Sequence, residues 1–175
     1  VDIEKIIDSM ERKRSTGFDE ISNHIVKTIK TAISKPLSIL INNSLRTGEI
    51  ADELKTAKVV PLYKSGDPSD LSNYCPISLL PVFSKIYEKV VNKQLAAYCK
   101  EHLFTENQFG FRNMSETQHC VLNFLSNIAS SPKDKFKAAE FLALKKAFDT
   151  VSHNILLEKL KFYGIRETEL KLVSK

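Results

Sequence analysis

The chain has 175 residues, 42% hydrophobic and 27% charged, with 26 Lys+Arg against 21 Asp+Glu for a formal net charge of +5. That composition can bury a sizeable core, which excludes wholesale disorder, and the length suits one ordinary domain or a piece of a larger one. Three cysteines (Cys75, Cys99, Cys120) are too sparse for a disulfide-built secreted scaffold, the start Val1-Asp2-Ile3 has no signal-peptide pattern, and no uncharged apolar stretch is long enough for a bilayer. The expectation is a soluble, reduced, intracellular protein, in nucleus or cytoplasm, with no membrane partner.

In chain order, Ile3, Ile6, Ile7 and Met10 predict a short amphipathic helix over residues 1–13. Asp19 is expected to cap a second helix to about Ile33, Pro36 to interrupt it, and Leu37, Leu40, Ile41 and Leu45 to continue it as far as Thr47-Gly48. Residues 57–63 read as a strand, with Pro61 favouring an edge, and residues 65–73 as an exposed loop. From Pro81 a broad apolar face (Phe83, Ile86, Tyr87, Val90, Val91, Leu95, Tyr98) predicts a long helix. An irregular link around Gly110 leads to a helix over 116–128 with Val121, Leu122, Leu125 and Ile128 inward, ended by Ser130-Ser131-Pro132. Residues 138–144 are a candidate buried strand, and a last helix runs from His153 to Tyr163, stopped by Gly164 as its C′ residue. The fold class is α+β with helix dominant.

The charge is unevenly placed. Residues 1–87 carry 12 basic and 11 acidic groups, residues 88–175 carry 14 and 10. Lys133, Lys135 and Lys137 precede the apolar run at 138–144, and Lys145 and Lys146 follow it. They read as the solvated edges of a strand or as contacts to a polyanion.

Several segments stand in one order: Lys58-Val59-Val60-Pro61-Leu62-Tyr63-Lys64, Gly66-Asp67-Pro68, Asn73-Tyr74-Cys75-Pro76-Ile77-Ser78, Gln108-Phe109-Gly110-Phe111-Arg112, and Phe141-Leu142-Ala143-Leu144-Lys145-Lys146-Ala147-Phe148-Asp149. Together they resemble the reverse transcriptase of non-LTR, LINE- and jockey-like retrotransposons. Ser15-Thr16-Gly17-Phe18-Asp19 is similar to that family's opening motif, so the resemblance covers nearly the whole chain. It implies an incomplete right-hand polymerase fold, with residues 1–135 as a fingers-like region and 136–175 as the start of the palm. The family's activity is RNA-directed DNA synthesis from deoxynucleoside triphosphates with magnesium.

In-line attack on a phosphate by this route uses two metal ions, and magnesium takes hard oxygen ligands, so carboxylates must converge on it. The family's pattern has aspartate where this sequence has Ala143, whose methyl group coordinates nothing. Asp149 lies six residues along and is expected to act as a helix cap or in an ion pair. A Tyr-x-Asp-Asp segment, the second carboxylate motif, does not occur in the 175 residues. No catalytic residue and no metal site is therefore expected intact, and no cofactor for this chain.

The resemblance also implies binding residues. Lys64 and Phe148 match nucleotide-binding positions, Phe148 as the bulky residue under the sugar. Lys58 and Arg112 match positions facing template or backbone. Taken alone, Lys58 reads equally, and Lys64 less readily, as a solvated strand-edge residue, Arg112 equally as a salt-bridge former and Phe148 as a core aromatic. Cys75 replaces the arginine of the family's Asn-Tyr-Arg-Pro, exchanging a bidentate phosphate ligand for a neutral thiol. Cys99 and His102 with His119 and Cys120 suggest zinc only weakly, since adjacent helical residues point about 100° apart.

The expectation is a reverse-transcriptase-like chain without activity. Its alternatives are a domesticated module binding an RNA template or RNA–DNA duplex, a non-functional pseudogene-derived fragment, and a helical interaction fragment that would pack against the missing palm and thumb half.

Overall fold

The computed structural model describes residues 2–130, 132, 136–144 and 147–174. Helices α1 (Ile3–Asp8), α2 (Asn23–Thr28), α3 (Lys30–Thr47) and α4 (Asp52–Lys55) precede a two-stranded ribbon. The ribbon pairs β1 (Lys58–Tyr63) with β2 (Tyr74–Leu79) through a short 3-10 turn at Leu71–Asn73. Helices α5 (Val82–His102), α6 (Thr117–Ala129), α7 (His153–Phe162) and α8 (Glu167–Val173) follow.

The core lies where α1, α2 and α3 meet the first half of α5. Val82, Ile86 and Val90 repeat every four residues, so they form one row along α5, and all are essentially inaccessible. Ile3, Ile6, Ile7 and Met10 cover that row from the α1 side, with Val26, Ile41 and Leu172 completing the cluster. The Tyr87 and Ser44 hydroxyls meet at 3.0 Å, so the phenol enters the core with its polar end satisfied. Lys30 reaches Asp8 at 2.7 Å, tying α3 to α1; being largely exposed, that pair adds at most about 1 kcal/mol.

Departures from the sequence expectation have local causes. Ser22, not Asp19, caps α2, its Oγ accepting from Ile25 N–H at 3.4 Å; the Asp19 carboxylate instead accepts from Ile21 N–H at 3.2 Å within a turn. The helix breaks at Ile29 and then continues through Pro36. The core contacts of Ile33, Leu37, Ile41 and Leu45 hold the turns on both sides of the proline, outweighing its lost N–H bond. The first helix is shorter than expected, though Met10 is still buried beyond its end. The short α8 lies beyond any element expected from the pattern; it docks on α3 through Leu172 and through Lys171, which pairs with Glu49.

Two corrections concern the C-terminal half. The apolar face of α6 is exposed, Leu122 to 64%, because no described element packs over it. Residues 138–144 form no strand, and Phe141, Leu142 and Leu144 are about 80% exposed. An isolated strand has no partner for its backbone donors and acceptors, and among the described residues β1 and β2 are the only strands, paired with each other. Phe141 does meet Phe124 of α6 edge-on, ring centroids 5.5 Å apart, and Lys137 Nζ donates to Asn127 O. Lys133, Lys135, Lys145 and Lys146 lie outside the described residues.

The Ser84 hydroxyl on α5 is 1% exposed and has no hydrogen-bond partner among the described residues. A buried, unmatched hydroxyl costs desolvation with no return. Ser84→Ala is therefore expected to stabilise the chain by about 1 kcal/mol, read as a rise in thermal midpoint.

Candidate nucleic-acid interface

The ribbon is the exposed feature closest to the basic candidates. Every β1 residue is exposed, and β2 is covered only in part at its two ends. Just beyond the Tyr63–Tyr74 pair, Lys64 N–H donates to Asn73 O at 2.9 Å. Bonded and open pairs alternate in an antiparallel ladder, so the pairs of Leu62 with Cys75 and Val60 with Ile77 are bonded and that of Pro61 with Pro76 is open. Two facing prolines are tolerated because neither missing N–H would have bonded across the ribbon.

Side chains alternate between faces, which places Lys58, Val60, Leu62 and, in continuation, Lys64 on one face with Cys75 and Ile77. The two lysines stand roughly 20 Å apart along the strand. Tyr63 and Tyr74 occupy the opposite face, edge to face at 5.6 Å. Cys75 lies between the two lysines on their face, so the thiol interrupts the basic surface where the resembled motif carries arginine.

The tip of the ribbon is built by hydrogen bonds. Gly66 has φ +104°, and a Cβ there would lie 2.6 Å from the Asn73 amide, which itself donates to Asp67 O at 3.0 Å. Tyr63 and Tyr74 donate their hydroxyls to Gly66 O and Pro68 O at 2.6 and 2.8 Å. Backbone N–H donation from Ser69 and Ser72 holds the Asp67 and Asp70 carboxyls below their ordinary range. The tip is thus anionic at neutral pH, and the positive charge of the ribbon lies on the lysine face.

The other two candidates lie elsewhere. One Arg112 nitrogen donates to Thr105 O at 2.6 Å and to Gln108 O at 3.1 Å, with the guanidinium 5.6 Å from the Phe104 ring centroid. It staples its own loop through carbonyls rather than through the carboxylate a salt bridge would need. Phe148 is 77% exposed, which corrects the core-aromatic alternative, and touches Phe111 edge-on at 5.8 Å. The structure therefore groups Lys58, Lys64 and Cys75 on the ribbon, and joins the Phe111 and Phe148 motifs to each other.

Among the described residues the ligand set that the resemblance implies for magnesium is not assembled. The Ala143 side chain offers no ligand atom in an exposed irregular segment, and Asp149, in an exposed turn, has no hydrogen-bond or ion-pair partner among the described residues. Among those residues no three His, Cys, Asp or Glu side chains converge. The zinc candidates have local roles: His102 stacks on Tyr98 at 4.5 Å, and His119 Nδ1 accepts Glu116 N–H at 3.1 Å in a capping box on α6. No helix among the described residues is long and apolar enough to cross a membrane.

The model of the family described as reverse transcriptase (RNA-dependent DNA polymerase) matches residues 63–174. The chain is 29% identical, over 97% of its length, to "Probable RNA-directed DNA polymerase from transposon BS" of Drosophila melanogaster, covering 20% of that protein. It is 29% identical over 91% of its length to "RNA-directed DNA polymerase from mobile element jockey" of the same fly, and 28% over 91% to the jockey protein of Drosophila funebris, covering 18% of each. The chain thus spans about a fifth of the length of these relatives.

Proposed function

The chain belongs to the reverse transcriptase (RNA-dependent DNA polymerase) family, on its jockey-like, non-LTR retrotransposon side, and we propose that it retains a template-binding surface of that family without catalysing DNA synthesis. In this reading residues 1–135 are the fingers and residues 136–175 open the palm. The observation that carries it is Ala143, at the place where the resembled motif has its metal-binding aspartate. A methyl group supplies neither an oxygen ligand nor a compensating charge, so the donor set fails at its first member.

The expected result of primer extension on an RNA template with magnesium is no product above background; measurable extension overturns the reading. Binding is the part that the basic ribbon face supports. Its partner would be an RNA template or an RNA–DNA duplex, held through phosphates with little sequence preference. Changing Lys58 and Lys64 together to alanine is expected to lower the slope of log affinity against log salt by about 1.4 on single-stranded RNA, at about 0.7 per phosphate contact. Arg112 is left out of that variant because its loss would release the loop it staples. An unchanged affinity and slope in the Lys58/Lys64 variant would remove the ribbon from the interface.

A further inference from the structure

The run Arg12-Lys13-Arg14-Ser15 belongs neither to the ribbon nor to the core. An arginine three residues before a serine occurs twice in the sequence, as Arg12 with Ser15 and as Arg112 with Ser115. In an extended peptide this spacing sets the guanidinium about 10 Å from the hydroxyl. An enzyme can then hold the arginine in a carboxylate pocket while it works on the hydroxyl.

The structure separates the two serines. At the second, the Arg112 guanidinium is already committed to Thr105 O and Gln108 O, and Ser115 is half-buried. At the first, residues 11–15 are exposed and belong to no helix or strand. Arg12, Arg14 and the Ser15 hydroxyl have no hydrogen-bond or ion-pair partner among the described residues. Lys13 pairs with Glu11 at 2.7 Å, but both side chains are largely exposed, so the pair opens readily in water. The free run is short and its ends are held. Met10 is buried before it, and Gly17 is buried against Pro81 after it. Thr16, the next hydroxyl, is half-buried, and its backbone pairs with Ser22 in an isolated bridge. The free hydroxyl beside free basic side chains is therefore that of Ser15.

We propose that Ser15 is a phosphorylation site for a serine kinase whose peptide groove carries carboxylates, with Arg12 and Arg14 as the charges it recognises. Guanidinium groups suit such a groove because they meet carboxylates in bidentate pairs. In the transfer, Ser15 Oγ attacks the γ-phosphorus of a nucleoside triphosphate. The Oγ–P bond forms as the bond from that phosphorus to the β–γ bridging oxygen breaks. The nucleoside diphosphate leaves, and the hydroxyl proton passes to a base of the kinase. The product carries about −1.5 to −2 at neutral pH, which offsets most of the positive charge of the run. This site uses none of the residues of the template-binding reading and stands or falls apart from it.

The test is incubation of the full chain with ATP, magnesium and a basic-directed kinase, the catalytic subunit of cyclic-AMP-dependent protein kinase. A parallel reaction uses an acid-directed serine kinase. Intact mass reads incorporation, and fragment spectra locate the phosphate. The expected result is a single phosphate, on Ser15, with the basic-directed enzyme and none with the acid-directed one. Ser15→Ala abolishes it. Arg12→Gln combined with Arg14→Gln lowers kcat/KM at least about tenfold, the worth of one charge-assisted hydrogen bond. Thermal unfolding of both variants checks that the fold is kept. No incorporation overturns the proposal. So does phosphate on Ser115 or Thr16 in place of Ser15, or an unchanged rate in the double-glutamine variant.

Discussion

Ile86→Ala is expected to lower the unfolding free energy by about 3 kcal/mol, within the roughly 2–5 kcal/mol range of large-to-small core replacements. Ile86 is 0% exposed at the centre of the Val82–Ile86–Val90 row, with α1 over it. Removing three carbons there loses both their transfer energy and the contacts of the cavity walls, because helices on both sides are pinned by their own buried residues. In a domain whose total stability is on the order of 5–15 kcal/mol, this is a large fraction. Urea unfolding would read it as a lower midpoint at unchanged slope. Leu122→Ala on α6 provides the contrast: at 64% exposure its loss should cost under about 0.5 kcal/mol. Equal costs at the two positions would mean that α6 is covered in solution.

That contrast also marks how far the sequence could be read. Helix α5 and helix α6 carry comparable apolar periodicity, and both were expected from it, with ends close to those observed. Periodicity reports that a face is apolar, not that anything covers it. Burial is a property of the other elements, and those over α5 exist while none is described over α6. The same distinction decides the two predicted strands. Residues 58–63 find residues 74–79 across a loop rich in turn formers, so local sequence supplies both the strand and its partner. Residues 138–144 have strand-like residues and no partner among the described ones, and stay irregular.

The candidate site was legible to a similar depth. The identities that mattered, Lys58, Lys64, Cys75 and Ala143, could be read in one dimension because each sits in a recognisable run. That Lys58, Lys64 and Cys75 share a face follows from register, which the turn sets. Arg112 illustrates what remained hidden: whether a guanidinium faces a ligand or its own loop depends on where nearby carbonyls point, and Thr105 and Gln108 present theirs to it.

The second large effect is expected at Gly17, inside the Ser15-Thr16-Gly17-Phe18 segment. Gly17 is buried, and a Cβ built on it would lie 2.7 Å from Pro81 N, 2.8 Å from Pro81 Cα and 3.0 Å from Leu80 C. All three atoms are backbone, so no side chain can turn away to make room. The glycine is required by close approach: this is where the end of β2 passes into α5 and the N-terminal segment crosses over it. Gly17→Ala must therefore push the crossing apart, at about 2 kcal/mol, in the range of an overpacked core. Gly110→Ala serves as the control, since a Cβ there meets nothing within 4 Å, and it should be neutral or slightly stabilising through the unfolded chain. The displacement at Leu80 and Pro81 acts on the root of the ribbon. Amide exchange at Ile77 and Leu79, whose N–H groups face β1 in the bonded pairs, should accelerate in Gly17→Ala and stay unchanged in Gly110→Ala. A Gly17→Ala protein as stable as the parent, with unaltered exchange at those amides, would show that the crossing is looser than these distances require. A loss confined to global stability would separate the core contact from the positioning of the lysine face. Faster exchange at the ribbon together with the stability loss would tie the opening motif of the chain to the surface that Lys58 and Lys64 present.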